Sequence, residues 1–334
     1  MSFEPVSRID GPIIFNSMRA KLRQVTGIAT LTALEASRQP IFLLLTTSVL
    51  AFIALLPFLI THVIGDAARI VRDSALATQL VSGLVLGCFA ASATIARELR
   101  RGTLASILSK PVGRAGFFLA KFAGVALVML VFTAITTMAT MLAVRTAAEA
   151  YVFDAWGSGP LLAALFLAYA WAGLTNYLTR RPFVSRTFLL VAIAVTAAFL
   201  VSWSVPGPDP ETPALPWNIL PAGVLLALAM LLLSAFAVSL ATRLDMAPTL
   251  VACLGILLFG LMSDYLFGRQ AHEQWHYALL HGIVPNWQHF WVTDALKSGS
   301  IPWRYTGNVA LYTAVYAGVV LTGGLWSFNR MEVK

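Results

Sequence analysis

Charge is what this sequence has least of. Only 11% of its 334 residues are Asp, Glu, Lys or Arg, against about 25% in soluble domains. With 58% hydrophobic residues and a mean hydropathy of +0.78, a water-exposed surface is excluded. No polar stretch is long enough for an independent soluble core, so residues 1–334 read as one transmembrane domain. Lysine is scarce too. Lys21, Lys110, Lys121, Lys297 and Lys334 are all there are, and none closes a glycine-rich loop. The pattern GxxxxGK[ST] is absent, so the chain cannot cradle ATP in the P-loop manner, and any ATPase must be another polypeptide. The two cysteines, Cys88 and Cys253, each lie inside an apolar run. That points to packing rather than to a disulfide or a metal pair. No secretory signal peptide is visible, and the first span is expected to direct insertion.

Ionisable residues deep in the apolar runs are nearly missing as well. His62, Asp66 and Asp264 fall near run ends, where water reaches them. A proton- or sodium-coupled carrier needs a central array of such groups, and none is present; an ion channel is disfavoured further. Thr46, Thr47, Ser48, Thr133, Thr136, Thr137 and Thr140 either line a path or bond their own helix backbone. The net charge of +8 and pI near 9.8 would suggest nucleic acid in a soluble protein. Here basic loops on one face of a membrane explain it, and no nucleic-acid partner is expected.

What the sequence does have is long apolar runs. A span needs about 20 such residues, and eight runs qualify: 41–64, 77–97, 116–144, 160–179, 186–204, 219–241, 247–267 and 307–328. None shows the alternation of a membrane strand. The expected class is therefore all-α, a polytopic helix bundle of about eight spans. Placing both termini inside puts 17 of the 23 basic residues on the inner side, with six of the 15 acids. The imbalance predicts cytoplasmic termini and an even number of spans. The basic turns at 179–182 and 242–245 read as hairpins.

The expected organisation follows: a cytoplasmic leader and surface helix over 1–40, spans 1–2 over 41–96, and a charged cytoplasmic insert over 97–115. Spans 3–7 occupy 116–267. Residues 268–306 form an aromatic-rich outer segment with short re-entrant helices broken at Pro285. Span 8 and a short tail complete 307–334. Gly83 and Gly87 in span 2 have GxxxG spacing, which allows close helix approach either within the chain or across a dimer.

Within the outer segment, His272-Glu273-Gln274-Trp275-His276 fits H-E-x-x-H, a zinc pattern when carried on a helix. His281 or His289 could add a ligand. Against this, Pro285 is close by, and four of the five histidines lie within 272–289, so a pair at spacing four is unsurprising. Interfacial histidines bonding headgroups or water are the simpler account.

The insert is the longest charged passage between two apolar runs. Leu99, Leu104, Ile107 and Leu108 can share a helical face, with Arg100, Arg101 and Ser109 elsewhere and Gly102 interrupting. Lys110-Pro111-Val112-Gly113-Arg114 is turn chemistry. The run Ala96-Arg97-Glu98-Leu99-Arg100-Arg101-Gly102-Thr103-Leu104, then Leu108-Ser109-Lys110-Pro111-Val112-Gly113-Arg114 and Phe118-Leu119-Ala120-Lys121-Phe122-Ala123-Gly124, resembles the permease subunits of ABC-2-type transporters. Leu34-Glu35-Ala36 before Arg38 and Pro40 looks like that family's elbow helix. Pro285-Asn286-Trp287-Gln288-His289-Phe290 looks like its outer loop. Ala120 stands where the family usually has glycine. The family's basic form has six spans, so either a hairpin is added within 160–267 or one pair of runs is not a pair of spans.

The resemblance implies a permease without enzymatic activity or cofactors of its own. ATP and Mg would belong to a cytoplasmic ABC ATPase. A second permease chain, identical or different, and membrane lipids would be the other partners. The insert would be the coupling helix: Glu98 would make the polar contact, Arg100 and Arg101 would add charge complementarity, and Thr103 and Leu104 would pack, with Gly102, Ser109, Lys110 and Pro111 completing the motif. The expected protein is a bacterial inner-membrane exporter permease for a lipid-like or hydrophobic substrate. The alternatives are a membrane-bound zinc metallopeptidase or lipid-modifying enzyme using His272, Glu273 and His276, and an anchoring membrane subunit.

Overall fold

The computed structural model describes residues 13–60, 66–96, 113–147, 154–180, 182–207, 214–269, 274–292, 295–296 and 299–330. Among them every regular element is helical. Hydrocarbon offers no partner to a free backbone N–H or C=O, and a helix satisfies both within one segment.

In chain order the α-helices are α1 (Ile13–Ser37), α2 (Pro40–Leu59), α3 (Ala67–Ala91), α4 (Arg114–Thr146), α5 (Ala155–Thr179), α6 (Phe183–Ser204), α7 (Leu220–Ala241), α8 (Met246–Leu261), α9 (Trp275–Ile283) and α10 (Trp303–Asn329). A π turn at Ser92–Ala96 ends α3 and another at Asp264–Gly268 follows α8. Pro40 opens α2, where a missing N–H costs nothing, and so sets the corner between α1 and α2. Arg180, the αL cap of α5 at φ 50°, closes the expected hairpin into α6.

Among the described residues, seven helical stretches are long and apolar enough to cross a membrane: Pro40–Leu59, Ala67–Ile95, Arg114–Thr146, Ala155–Thr179, Arg186–Ser204, Trp217–Ala241 and Trp303–Asn329. The expected count of eight needs correction at run 247–267. There α8 has only 16 residues, about 24 Å of helix against a hydrocarbon core of about 30 Å. The backbone stays helical through Met262 and Ser263 into the π turn, where Asp264 meets His281 and Asn286. In the other direction, α3 begins ten residues before the apolar run 77–97, because Asp66 caps it by accepting the Arg69 N–H at 3.0 Å.

α4 is the central post. It packs against α1, α2, α3, α5, α6, α7 and α10. Like α7, it is apolar on all sides and buried along most of its length. Its threonines do not open a path: Thr133, Thr136 and Thr140 donate to carbonyls of their own helix at 2.7–2.9 Å. Gly83 and Gly87 face inward. A Cβ on Gly83 would overlap the Met230 sulfur, and one on Gly87 would meet Met129 and Ser234. The small stripe thus serves packing of α3 against α4 and α7 within the chain. Cys88 and Cys253 are both buried and unbridged, between α3 and α8.

The end of α1 and the end of α10 lie at the same end of the bundle as the start of α4. Glu35 reaches Lys121, and Arg114 reaches the Asn329 carbonyl. The short α8 therefore still carries the chain from one end towards the other.

Candidate functional site

The expected coupling residues Glu98, Arg100, Arg101, Gly102, Thr103, Leu104, Ser109, Lys110 and Pro111 lie outside the described residues. The two stems that carry them do not. On the leading side, α3 ends in the π turn Ser92–Ala96. Thr94 there bonds the Ala90 carbonyl at 2.8 Å, while the Ser92 hydroxyl is buried without a partner among the described residues. π turns are rare, because the wider turn leaves poorer packing along the axis, and they concentrate at functional positions.

On the trailing side, Gly113 leads into α4, and three contacts grip its first two turns. The Arg114 guanidinium donates to the Asn329 carbonyl at 3.0 Å, satisfying one of the carbonyls that the end of α10 leaves free. Phe117 and Phe118 lie against Phe328, with ring centroids 6.2 and 5.9 Å apart. The Lys121 ammonium, only 4% exposed, sits 3.8 Å from the Glu35 carboxylate of α1 and 5.6 Å from the Phe117 ring. One turn on, Gly124 lets α1 cross closely: a Cβ there would fall 2.5 Å from the Ala29 carbonyl oxygen. On the neighbouring helix, Arg243 donates to the hydroxyl and carbonyl of Ser327 at 3.0 and 2.9 Å. The first turns of α4 are therefore tied to α1 and α10, and α10 in turn to the end of α7.

The far end of α4 is sealed. Arg145 and Asp154 are 4% and 8% exposed and pair at 2.5 Å. Arg145 also donates to the carbonyls of Ser202, Val205 and Pro206. Asp154 caps α5 through the Trp156 N–H at 2.9 Å. Both charges are thus fully engaged, which a charge in a desolvated place requires. Charge counting in the sequence places Arg145 in an outer loop. The hint of the pairing is Asp154 as an N-cap before an apolar helix.

The zinc reading is not assembled. His272 and Glu273 lie outside the described residues, and α9 starts only at Trp275. His276 is exposed beside Trp275 and Tyr277. Among the described residues no three His, Cys, Asp or Glu side chains converge as a metal site would need. The outer segment does make the expected short helices, α9 and a 3-10 turn at Trp287–Phe290, separated at Pro285. Its anchor is Trp287, buried to 1% and donating to the Ile256 carbonyl at 3.2 Å. Gly260 makes room, since a Cβ there would overlap Trp287 and the Pro285 carbonyl. Asp264 accepts from Asn286 at 2.7 Å and pairs with His281 at 2.9 Å. Burial holds the nearby His289 below the ordinary histidine pKa, opposed by the Asp264 charge and reinforced by His281.

With these stems in view, residues 34–182 match the family described as ABC-2 family transporter protein. This segment is an ABC-2 transporter region. It covers a little under half of the chain and runs from the end of α1 through α2, α3, the insert and α4 to the end of α5. No curated protein and no solved structure shows significant similarity to the chain. The match over this segment, with the seven apolar helices among the described residues, supports a multi-pass membrane protein with a transport-permease region. Permeases of this family are normally non-enzymatic membrane components.

Proposed function

We propose that this permease is the membrane subunit of an ATP-driven exporter. In this reading the insert over 97–115 is its coupling element, docking on a cytoplasmic ABC ATPase supplied by another chain. The observation that carries it is the extent of the ABC-2 match, which contains the elbow, the insert and both stems in one segment. The grip on the first turns of α4 supports it, because a docking element works only if its motion reaches several spans. ATP-driven closure of the ATPase pair would push on the insert and bias the bundle between two arrangements. A second permease chain, the same or a homologue, would complete the transporter. The apolar spans, with few internal charges, favour a lipid-like or hydrophobic substrate. The setting we assign is a bacterial plasma membrane with both termini and the insert in the cytoplasm, in line with the basic bias of those segments.

The tagged full-length chain, purified from its native membrane in mild detergent, is expected to retain a P-loop ATPase. Replacing 98–104 by a Gly/Ser stretch should lose that ATPase while leaving the chain inserted. Retention of the ATPase by the replaced chain, or failure of any P-loop protein to co-purify with the unaltered one, would sink the proposal. Topology is checked independently. Reporters fused after Gly113 and within 205–217 should report opposite sides of the membrane; a shared side would remove the cytoplasmic placement.

A further inference from the structure

Polar and apolar spaces adjoin where α8, α9 and α10 meet. Asp264, Tyr265, Gly268, Arg269, His281 and Gln288 line an open depression of about 560 Å³. The next residues of α9, Gly282 and Ile283, line an apolar groove of about 680 Å³ with Phe259 of α8 and Val315 and Val319 of α10. Both volumes fall in the range of about 300–1,000 Å³ typical of small-molecule sites. The groove lies well inside the span: Val315 is twelve residues after Trp303, about 18 Å along α10. Tyr316 holds the rim in place by donating to the carbonyls of Gly282 and Ile283.

The depression presents both signs of charge. The Asp264 carboxylate is 47% exposed even with His281 and Asn286 in place. The Arg269 guanidinium lies over the Tyr265 ring, 4.9 Å from its centroid, with its donors towards solvent. A carboxylate suits an ammonium, and a guanidinium suits a phosphate in a bidentate fork. The apolar groove leading away from them suits an acyl chain.

We propose that this site holds a zwitterionic, amine-bearing phospholipid. Asp264 takes the ammonium, Arg269 takes the phosphate, and one acyl chain lies between Phe259, Ile283 and Val319. The site requires no ATPase and stands apart from the coupling role of the insert.

The test uses the full-length chain in nanodiscs with a phosphatidylethanolamine carrying a photoactivatable acyl chain. Adducts are expected in peptides covering 256–259, 282–285 and 315–320. Unlabelled phosphatidylethanolamine should compete better than phosphatidylglycerol, which lacks the amine. Arg269→Glu should cut labelling by about fivefold or more, the effect of losing one charge-assisted contact. Asp264→Asn should act in the same direction. Because Asp264 also braces Asn286, the exposed Arg269 variant decides the matter if Asp264→Asn misfolds. Equal competition by both lipids, or labelling unchanged in Arg269→Glu, would reduce the groove to bulk lipid contact and overturn the proposal. So would chain-to-chain cross-links through Val315 or Val319 in place of lipid adducts, since they would make the groove an interface between copies.

Discussion

Glu98→Arg is expected, on the proposed coupling role, to cut the stimulation of an ABC ATPase partner sharply while leaving the chain inserted. Glu98 falls in the most basic passage of the sequence, beside Arg97, Arg100 and Arg101. A carboxylate there is the one group able to pair with a cation on a docking surface. Reversing its sign removes that contact and adds repulsion, and like charges facing each other at an interface cost several kcal/mol. Coupled ATPase activity should fall by about tenfold or more, since each 1.4 kcal/mol is a factor of ten. Glu98→Gln keeps the shape and one polar contact and should retain an intermediate rate. The assay is ATP hydrolysis by the reconstituted complex, read beside the melting temperature of the permease. An unchanged coupled rate in Glu98→Arg would remove the coupling role from this residue.

Asp154→Asn should be the most destabilising single substitution at the far end of the bundle. It leaves Arg145, buried to 4%, without its counter-charge and weakens the cap of α5. Breaking a buried pair by removing one partner costs about 3–5 kcal/mol, because the surviving charge stays desolvated. The loss should be read in detergent by thermal unfolding, as a large drop in melting temperature and in yield. Replacing both partners, Arg145→Met with Asp154→Leu, should recover part of it, since no orphaned charge remains. Equal stability of Asp154→Asn and the unaltered chain would show that the pair is not desolvated as its burial indicates.

Much of the architecture is legible in the residues, and for a plain reason. Lipid-facing helices must be apolar along about 20 residues, so α2, α4, α7 and α10 announce themselves by composition alone. Pro40 and Pro285 mark real breaks because proline offers no amide to continue a helix. Composition is blind where a helix is polar or where an apolar run bends. The first ten residues of α3 carry Arg69, Arg72 and Asp73 and look like a loop by hydropathy. In run 247–267 the regular α-helix stops at Leu261 and passes into a π turn, where Asp264 meets His281 and Asn286. Those partners are 17 and 22 residues away along the chain, and no local pattern encodes them. The same holds at the base of α4. Lys121 is visible as a charge in an apolar passage, but its pairing with Glu35 depends on how closely α1 crosses at Gly124. The ABC-2 pattern around the insert was legible in the residue order, and the family match covers the same residues.

The π turn at Ser92–Ala96 has a geometric consequence for the end of α3. A turn that takes up one residue more than an α-helical turn shifts by one position which residues share a face, about 100° at 3.6 residues per turn. The packing of α3 against α4 and α7 fixes the rotation of the helix below the turn. The span can therefore keep its seat in the bundle while the π turn faces its neighbours in a register that an unbroken α-helix would not give, as an indexed coupling lets a shaft and its arm be aligned independently.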